Sequence, residues 1–394
     1  MPAHVTHSAD DRTSLAIEMI ADLVAFDTES SKSNLPIIDF IEAHLVARDV
    51  PFVRVPNAGG DKAAVFATIG PMVDGGIVLS GHTDVVPVTG QAWTSDPFRL
   101  RREGSRLYGR GACDMKGFGG IALAMIDEFR SYDLKKPIHI LLTYDEETTC
   151  LGPVDTIARF GRDLPRPAAV IVGEPTLMQV ADAHKGVATY CTTIIGKEAH
   201  SSLPSLGANA IEAACALVTE IYRIGSGFEA NADPQGRFTP SWSSVSVGKI
   251  EGGTARNILA RTCGFLWEFR NLPGVDVRAA ITPFEAYVQS VALPKLRLNA
   301  PEASITTVTE IEVPALAPEP GSLAENLGFK LTRSNHTIAV PFATEAGRFQ
   351  AAHIPTIVCG PGSIDQAHQP DEWIEISQIE ACIGFMRRLA QELC

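Results

Sequence analysis

The sequence predicts an α/β fold, in which a large domain with a mixed sheet and helices on both faces is interrupted by a smaller inserted α+β sandwich. With 394 residues, the chain is longer than a single hydrophobic core usually serves. Short apolar runs typical of buried strands alternate with amphipathic helical patterns in its first and last parts. The stretch between them has the order strand, helix, strand, strand, helix, strand. We therefore expect one domain formed by residues 1–184 and 314–394, and an inserted domain formed by residues 185–313.

The elements of the large domain are predicted from hydrophobic periodicity. Apolar residues spaced three and four apart indicate helices, and short continuous apolar runs bounded by turn residues indicate buried strands. The predicted helices are 12–26, 36–48, 120–130 and a closing helix from Ser377. The predicted strands are 63–70, a run from Ile77 to His82, 137–144, 168–173 and 356–359.

The inserted domain shows strands that alternate polar and apolar residues, as strands with one exposed face do. Its predicted strands are 187–195, 242–247, 263–269 and 304–308. Its predicted helices are 208–222 and 283–291.

Composition excludes several classes of protein. The chain is 45% hydrophobic and 20% charged, without the roughly 18 consecutive apolar residues that a membrane span needs. The net charge of -13 and the lack of a cluster of Lys and Arg argue against a protein that binds nucleic acid. The eight cysteines lack Cys-x-x-Cys spacing, which argues against a disulfide framework or a structural zinc site. The polar residues 1–12 show no signal peptide, so we expect a cytoplasmic protein.

The apolar run Ile77–Asp84 ends in Gly-His-Thr-Asp. A buried strand with this ending places the imidazole of His82 at the carboxyl edge of the sheet, where open α/β sheets bind ligands. The carboxylate of Asp84, two residues on, is in place to orient that ring. A histidine at a strand end is more often structural, so the pattern gains weight only by recurring.

The pattern recurs at four places downstream, at Asp114, at Glu146 and Glu147, at Glu174 and at His368. The glycines around Asp114 lack the strand and acidic residue of a dinucleotide-binding loop, so they are interpreted as a tight turn that brings Asp114 beside His82. Adjacent glutamates in a regular strand point to opposite faces, so Glu146 and Glu147 serve one site only if the chain turns there. A solvated acidic loop is the alternative for this pair, but the pair follows a core strand.

The collected side chains are two histidines, one aspartate and two or three glutamates, without a cysteine. Imidazole with carboxylate is typical of catalytic zinc, manganese or cobalt, whereas structural zinc usually recruits thiolates. One catalytic zinc needs three protein ligands. Five candidates therefore indicate a pair of metal ions.

In order and spacing, these segments resemble the metal-binding segments of the di-zinc aminoacylase and acetylornithine deacetylase family of metallohydrolases. The resemblance covers almost the whole chain. It includes Gly-Arg-Gly-Ala-Cys-Asp114-Met-Lys-Gly, Asp-Glu146-Glu147, Gly-Glu174-Pro-Thr, and in the inserted domain Gly196–Pro204, Gly252–Asn257 and Phe269–Gly274. Each motif alone is weak, but the set is specific.

The resemblance implies two zinc ions per subunit, or cobalt in their place. His82 and Glu174 would hold one metal, Glu147 and His368 the other, and Asp114 both, with a cis peptide to Met115. Asp84 would orient His82 and Glu146 would be the general base. His200 would reach the site of a partner subunit in a homodimer formed through the inserted lid domain, and would stabilise the oxyanion. Asn257 and Arg270 would bind the substrate carboxylate.

The ending Gly360–Trp373 and the segments Ala183–Gly186 and Thr344–Gly347 resemble the acetylornithine deacetylases within that family. This implies hydrolysis of N2-acetyl-L-ornithine to L-ornithine and acetate, a step of arginine biosynthesis. Lys185, Thr344 and Glu345 would then belong to the substrate site. Glu345 would meet the cationic end of ornithine or support a neighbouring residue.

Other functions stay open from the sequence. The nearest is another reaction on the same kind of bond, such as desuccinylation of succinyl-diaminopimelate or dipeptide hydrolysis. A non-catalytic binding protein is a different class, although every metal and base position is present. A nucleotide-dependent oxidoreductase is disfavoured because the required glycine-rich context is missing.

Overall fold

The structure, a computed structural model, describes residues 9–394, with side chains from residue 11 onward. The chain forms two compact units. The first unit extends to Ala183 and also contains Pro318–Ile338 and Thr344–Cys394. The second unit contains His184–Ala317 and Ala339–Ala343. The predicted bounds are therefore corrected at three places, because His184, residues 314–317 and the segment Ala339–Ala343 were assigned to the large domain but group with the second unit.

Both units contain helices. In chain order they are α1 (Ala9–Val24), α2 (Leu35–Val46), α3 (Lys116–Ala124), α4 (Ile126–Phe129), α5 (Val154–Ile157), α6 (Ala210–Glu229), α7 (Ile281–Tyr287), α8 (Leu293–Arg297), α9 (Leu323–Thr332), α10 (Ala346–Ala351) and α11 (Ile376–Glu392). A π-helical segment, Val288–Ala292, joins α7 to α8. Within residues 9–394, no helix is long and apolar enough to cross a membrane.

The strands of residues 9–394 form three sheets. In chain order they are β1 (Phe52–Pro56), β2 (Ala63–Ile69), β3 (Ile77–His82), β4 (Arg101–Glu103), β5 (Arg106–Tyr108), β6 (Ile138–Thr143), β7 (Ala169–Pro175), β8 (Ala181–His184), β9 (Val187–Ile195), β10 (Ser244–Gly252), β11 (Thr262–Arg270), β12 (Ser304–Val313), β13 (Ile338–Val340), β14 (Thr356–Gly360) and β15 (Trp373–Glu375).

In the described part of the chain, the main sheet has eight strands in the order β1-β2-β6-β3-β7-β14-β8-β13. Its centre is parallel, because β3 pairs parallel with both β6 and β7, and β7 pairs parallel with β14. The β1–β2, β2–β6 and β14–β8 pairs are antiparallel. A small antiparallel sheet, β15-β5-β4, accompanies it. The predicted mixed sheet is thereby confirmed.

Both faces of the main sheet are buried. Ile77 and Leu79 of β3 pack in one core with residues of α1, α2, α3 and α11. Val78 between them points to the opposite face and is also buried. The continuous apolar run that predicted this strand thus reflects burial on two sides, and the prediction of helices on both faces is confirmed.

The sheet of the second unit is antiparallel, in the order β10-β11-β9-β12. Its strands alternate buried and more exposed residues. On the buried face, Tyr190 stacks on Trp267 with ring centroids 4.3 Å apart, and Phe284 of α7 packs on Trp267 at 5.0 Å. The long helix α6 covers the same core and is capped by Asn209, whose side chain accepts a hydrogen bond from the N–H of Ile211.

Candidate metal centre

Most of the predicted ligands meet at one edge of the main sheet. His82 is the last residue of β3, and Glu174 lies near the end of β7. Glu146 and Glu147 follow β6 after two further residues. Because β6, β3 and β7 are parallel neighbours, their carboxyl ends lie side by side. The fold therefore collects side chains that are nearly a hundred residues apart in the chain.

A glycine-rich turn before α3 adds Asp114 to this edge. Gly111 has φ +83°, in the left-handed region that favours glycine. A Cβ on Gly117 would lie 2.2 Å from a backbone carbonyl oxygen of the same turn. Both glycines are therefore required by the tight turn that the sequence predicts. The peptide bond Asp114–Met115 is cis, as the resemblance implies.

Asp114 lies between two imidazoles. Its Oδ1 is 3.2 Å from Nε2 of His82, and its Oδ2 is 3.4 Å from Nε2 of His368. On the first side, Oε1 of Glu174 lies 3.7 Å from the His82 Nε2. On the second side, Oε2 of Glu147 lies 2.9 Å from the His368 Nε2. The cluster thus consists of two groups of ligand atoms that share Asp114.

The donors fit metal ions. Ligand atoms of His82, Asp114 and Glu147 lie within 4.8 Å of one another, as do those of His82, Glu146 and Glu174. Within the described chain, Oε1 of Glu147 and Oε1 of Glu174 are buried and have no hydrogen-bond partner. A buried carboxylate oxygen without a donor is unfavourable unless a cation completes it. Imidazole and carboxylate donors without thiolate match a catalytic divalent metal.

The carboxylate of Glu146 also lies close to these ligand atoms. Its Oε2 is 3.9 Å from Nε2 of His82, and its Oε1 accepts a hydrogen bond from the Sγ of Cys150 at 3.5 Å. The family resemblance implies that Glu146 is the general base. Its ligand atom lies within 4.8 Å of those of His82 and Glu174, so Glu146 is close enough to be either a base or a ligand.

The electrostatics of the cluster reflect burial of several acids. Burial raises the pKa of Glu146 and of Glu174 well above the ordinary value, and the charge of Asp114 adds to both effects. Burial also raises the pKa of Glu147, to about 7. The buried anions are thus mutually unfavourable without added positive charge.

The two imidazoles supply part of that charge. Burial opposes protonation of His82, but hydrogen bonds to Asp114 and Asp84 outweigh it and raise the pKa of the ring. Hydrogen bonds to Asp114 and Glu147 raise the pKa of His368 to about 10. Burial favours the neutral form of Asp114, but the same two rings hold its pKa below the ordinary value. A bound cation would take over this role from the protons.

Asp84 was predicted to contact His82, and it also contacts other residues of the site. The Nδ1 of His82 lies 2.9 Å from the backbone carbonyl oxygen of Asp84 and 3.5 Å from its Oδ1. A carbonyl oxygen only accepts, so the neutral ring carries its proton on Nδ1 and leaves Nε2 free to ligate. The carboxylate itself accepts hydrogen bonds from the Ser30 hydroxyl at 2.6 Å and from the backbone N–H groups of Glu146 at 3.2 Å and Glu147 at 3.4 Å.

The loop that carries the two glutamates turns at Asp145, which has φ +57°. The carbonyl oxygen of Asp145 accepts hydrogen bonds from the N–H groups of Thr149 at 2.9 Å and Cys150 at 2.8 Å. Lys62 pairs with its carboxylate. The guanidinium of Arg348 donates to the carbonyl oxygens of Thr149 at 3.2 Å and Cys150 at 3.1 Å. Lys62 and Arg348 were missed from the sequence, since no local pattern marks either residue.

Thr344 and Glu345 also belong to the first unit, and both are buried. The Oγ1 of Thr344 accepts a hydrogen bond from the N–H of Ala346 at 3.0 Å, at the start of α10. The Oε1 of Glu345 accepts one from the hydroxyl of Thr143 at 2.7 Å. Burial raises the pKa of Glu345 to about 7. Glu345 is thus held at the end of β6, the strand that precedes the Glu146 loop.

His200 and Asn257 belong to the second unit, where the structure brings their segments together. His200 forms an isolated β-bridge with Ile258, and the N–H of Ser201 donates to the carbonyl oxygen of Asn257 at 3.0 Å. The N–H of Ser202 donates to Nδ1 of His200 at 3.2 Å. A backbone N–H only donates, so the neutral ring of His200 carries its own proton on Nε2.

Arg270 and Lys185 are also in the second unit. Arg270, the last residue of β11, forms an ion pair with Glu268 at 3.1 Å. Lys185 is buried, and its Nζ donates to the carbonyl oxygens of Pro240 and Trp242, both at 2.8 Å. Burial lowers the pKa of Lys185 to about 8. These contacts tie Lys185 to the chain around Pro240.

Comparison with known proteins identifies the family. The model of the peptidase family M20/M25/M40 matches residues 78–392. The acetylornithine deacetylase of Buchnera aphidicola subsp. Acyrthosiphon pisum (strain Tuc7) is 31% identical over 386 residues, covering 96% of this chain and 98% of that protein. A tripeptidase from Staphylococcus aureus superposes with a TM-score of 0.73 at 16% identity, covering 97% of this chain and 98% of that one. A dinuclear metal binding peptidase of the M20 family from Bacillus subtilis superposes with a TM-score of 0.65 at 16% identity. The superposition covers 98% of this chain and 99% of that one.

The match to the family model includes every predicted metal ligand, from His82 to His368. The prediction of a metal-dependent hydrolase that acts on amide bonds is thereby confirmed at the level of the family. The chain belongs to the peptidase family M20/M25/M40.

Proposed function

We propose that this protein is a di-zinc deacetylase that hydrolyses N2-acetyl-L-ornithine to L-ornithine and acetate, as a step of arginine biosynthesis. The observation that carries the proposal is the buried cluster around Asp114, in a chain that is 31% identical to an acetylornithine deacetylase over 96% of its length. Relatives of this fold that are named as peptidases are only 16% identical, so they support the fold alone.

His82 and Glu174 would hold one zinc ion and Glu147 and His368 the other, with one oxygen of Asp114 for each. The two oxygens of Asp114, one near each imidazole, support two ions per subunit. Cobalt would be accepted by the same donors. When bound, such ions act as Lewis acids toward the amide carbonyl and lower the pKa of a water molecule.

Glu146 would be the general base. Its carboxylate would take a proton from the attacking water and return it to the leaving amine. Its only side-chain hydrogen-bond donor within the described chain is the weak thiol of Cys150, which supports a carboxylate free to exchange a proton. Asp84 would keep the base in place by accepting the backbone N–H of Glu146.

His200 would stabilise the oxyanion of the tetrahedral intermediate in the active site of a partner subunit. The proton on its Nε2, which the Ser202 N–H implies, supports a donor role for the ring. This role requires a homodimer, formed through the second unit. We place the enzyme in the cytoplasm, where its substrate class of small amino-acid derivatives is used.

Substrate recognition would use charges of both signs. Arg270 and Asn257 would bind the α-carboxylate, for which the guanidinium is suited. Glu345, beside Thr344, would pair with the side-chain ammonium of ornithine. Lys185 would contribute by holding the chain around Pro240 at the substrate site.

The test is a substrate panel on zinc-loaded protein. N2-acetyl-L-ornithine, N-succinyl-diaminopimelate, N-acetyl-L-norleucine and a dipeptide are offered in parallel, and the released amine is measured. We expect the highest kcat/KM with acetylornithine, loss of activity with a chelator, and recovery with zinc or cobalt. A higher kcat/KM for the succinyl substrate or the dipeptide would reassign the substrate. Full activity after complete metal removal would contradict the mechanism.

A further inference from the structure

Among the metal ligands, His368 is the least constrained by packing. Its side chain is 52% exposed, whereas those of His82, Asp114, Glu147 and Glu174 are at most 6% exposed. It lies in an irregular segment after β14 and has φ +62°, a backbone conformation unusual for a residue with a side chain. Contacts to its backbone must therefore hold it in place.

Gln91 makes such a contact. Its Nε2 donates to the carbonyl oxygen of His368 at 2.9 Å. Its Oε1 accepts hydrogen bonds from Arg110 Nη2 at 2.6 Å and from Trp93 Nε1 at 3.0 Å. Arginine and tryptophan nitrogens only donate, so the amide oxygen must face them and the amide nitrogen must face His368. The orientation of the Gln91 amide is therefore determined by its partners.

Further hydrogen bonds lead from Gln91 to the other side of the candidate metal cluster. Arg110 forms a fully buried ion pair with Glu372, with Nη1 2.7 Å from Oε2. The other oxygen of Glu372 accepts the backbone N–H groups of Cys113 at 2.9 Å and Asp114 at 3.0 Å. An unbroken series of hydrogen bonds thus joins the backbone of the shared ligand Asp114 to the backbone of His368.

We propose that Gln91 is a positioning residue for the metal site formed by His368 and Glu147. Its amide transmits the position of the rigid Asp114 turn to the exposed His368 segment. Among the described residues, its side-chain hydrogen bonds reach neither His82 nor Glu174, so it tunes the affinity of one metal site and leaves the other unchanged. This inference rests on the proposed two-metal function.

The test is zinc titration of metal-free protein by calorimetry. The Gln91→Glu variant keeps an oxygen for Arg110 and Trp93 but replaces the donor to His368 by a second oxygen. A His368→Ala variant identifies which binding step belongs to its site. We expect Gln91→Glu to weaken that step about 10- to 100-fold, the usual effect of removing a partner of a metal ligand, and to leave the other step unchanged.

Two controls accompany the titration. Gln289→Glu makes the same charge change at an exposed position of the second unit and should leave both steps unchanged. The thermal unfolding temperature of metal-free Gln91→Glu should equal that of the native protein, because a merely structural role would lower it. If Gln91→Glu does not fold, the uncharged Gln91→Met is judged by the same criteria.

The outcomes separate the inference from the proposed function. A folded Gln91 variant that binds both zinc ions like the native protein, or that weakens both steps equally, overturns the positioning role. Native protein that binds no zinc contradicts the proposed function, and the inference with it.

Discussion

The carboxylate of Asp84 accepts the backbone N–H of Glu146, with Oδ1 3.2 Å from the nitrogen. Its Oδ2 receives the N–H of Glu147 at 3.4 Å and the hydroxyl of Ser30 at 2.6 Å. One buried carboxylate therefore orients both the proposed base and a proposed ligand, in addition to lying beside His82. Asp84 connects the two sides of the site through the backbone of the Glu146 loop.

Replacing Asp84 by asparagine should therefore disturb more than the orientation of His82. The Asp84→Asn side chain offers one oxygen acceptor and places an NH₂ group against an N–H or hydroxyl donor. We expect zinc affinity and kcat each to fall about 10- to 100-fold. Zinc affinity and kcat are also measured in the control variant Asp133→Asn, which makes the same change at an exposed position. Native values in Asp84→Asn would show that the loop holds its position without this carboxylate.

Glu146 and Glu147 should respond differently to the same substitution. Glu146→Gln keeps the shape but cannot accept a proton, so kcat should fall about 10²- to 10⁴-fold while two zinc ions stay bound. Glu147→Gln should lose zinc, because it removes a ligand. Metal content by atomic emission and kcat are measured on both variants. If Glu146→Gln is the variant that loses zinc, Glu146 is a ligand and the base lies elsewhere.

Glu345 is tested by comparing a cationic with a neutral substrate. Glu345→Gln keeps an acceptor for the Thr143 hydroxyl but removes the charge. If Glu345 pairs with the ornithine ammonium, kcat/KM for acetylornithine should fall about 10- to 100-fold, the value of a charged hydrogen bond, with N-acetyl-L-norleucine unaffected. Equal losses on both substrates would assign Glu345 a supporting role at the end of β6.

The proposed cross-subunit role of His200 predicts complementation. Glu146→Ala and His200→Ala, each inactive, are mixed, dissociated and reassembled. Half of the dimers are then mixed, and each joins an intact Glu146 with an intact His200 at one of its two sites. Roughly a quarter of native activity should return with random pairing.

A control mixture isolates this effect. The control mixes Glu146→Ala with Glu147→Gln. Both residues serve the active site of their own chain, so each site of a mixed dimer keeps one defect and activity should stay absent. Mixed dimers of Glu146→Ala and His200→Ala that form but remain inactive would remove the cross-subunit role and leave the metal chemistry intact.

His139 should make the protein sensitive to acid. It is buried in β6 and stacks on Phe66 at 4.7 Å. Its one hydrogen-bond partner among the described residues is Thr68 at 3.0 Å, and burial lowers its pKa to about 4. The unfolded chain binds this proton near pH 6.5, so between about pH 6.5 and 4 the unfolded state holds more protons. The free energy of unfolding should therefore decrease as pH falls through this window, by up to about 3 kcal/mol from this residue.

The check is urea unfolding of metal-free protein at pH 7 and pH 4.5. His139→Asn retains an acceptor for Thr68 without a titrating ring, so its stability should depend less on pH than that of the native protein. Other titrating groups are common to both proteins and cancel in the comparison. Equal pH dependence would mean that His139 is not the source of the acid sensitivity.

Local sequence signals were sufficient for the framework of the site. The apolar run from Ile77 to His82 and the run before Glu146 are buried strands, because continuous apolar residues identify strands covered on both faces. The glycines around Asp114 indicated a tight turn, which the φ of Gly111 confirms. These features depend on side chains close together in the chain, so they can be read from it.

Element ends were less predictable, because packing between distant segments sets them. The helix predicted to end at Tyr222 runs on to Glu229 in α6, although it contains Gly225. A Cβ on Gly225 would lie 2.4 Å from the side chain of Val245, so close contact with β10 explains a glycine that helix propensity disfavours. β1, an edge strand of the main sheet that pairs with β2, was not predicted.

The sequence by itself determined which residue types and spacings form the candidate metal cluster, because those follow from strand periodicity and ligand chemistry. Only the tertiary structure decided which contacts hold these side chains in place. Glu372 accepts the N–H of Asp114 from 258 residues away in the chain, and Gln91 contacts the backbone of His368 across 277 residues. Such contacts involve backbone groups, which carry no residue-specific signal, so only the folded chain reveals them.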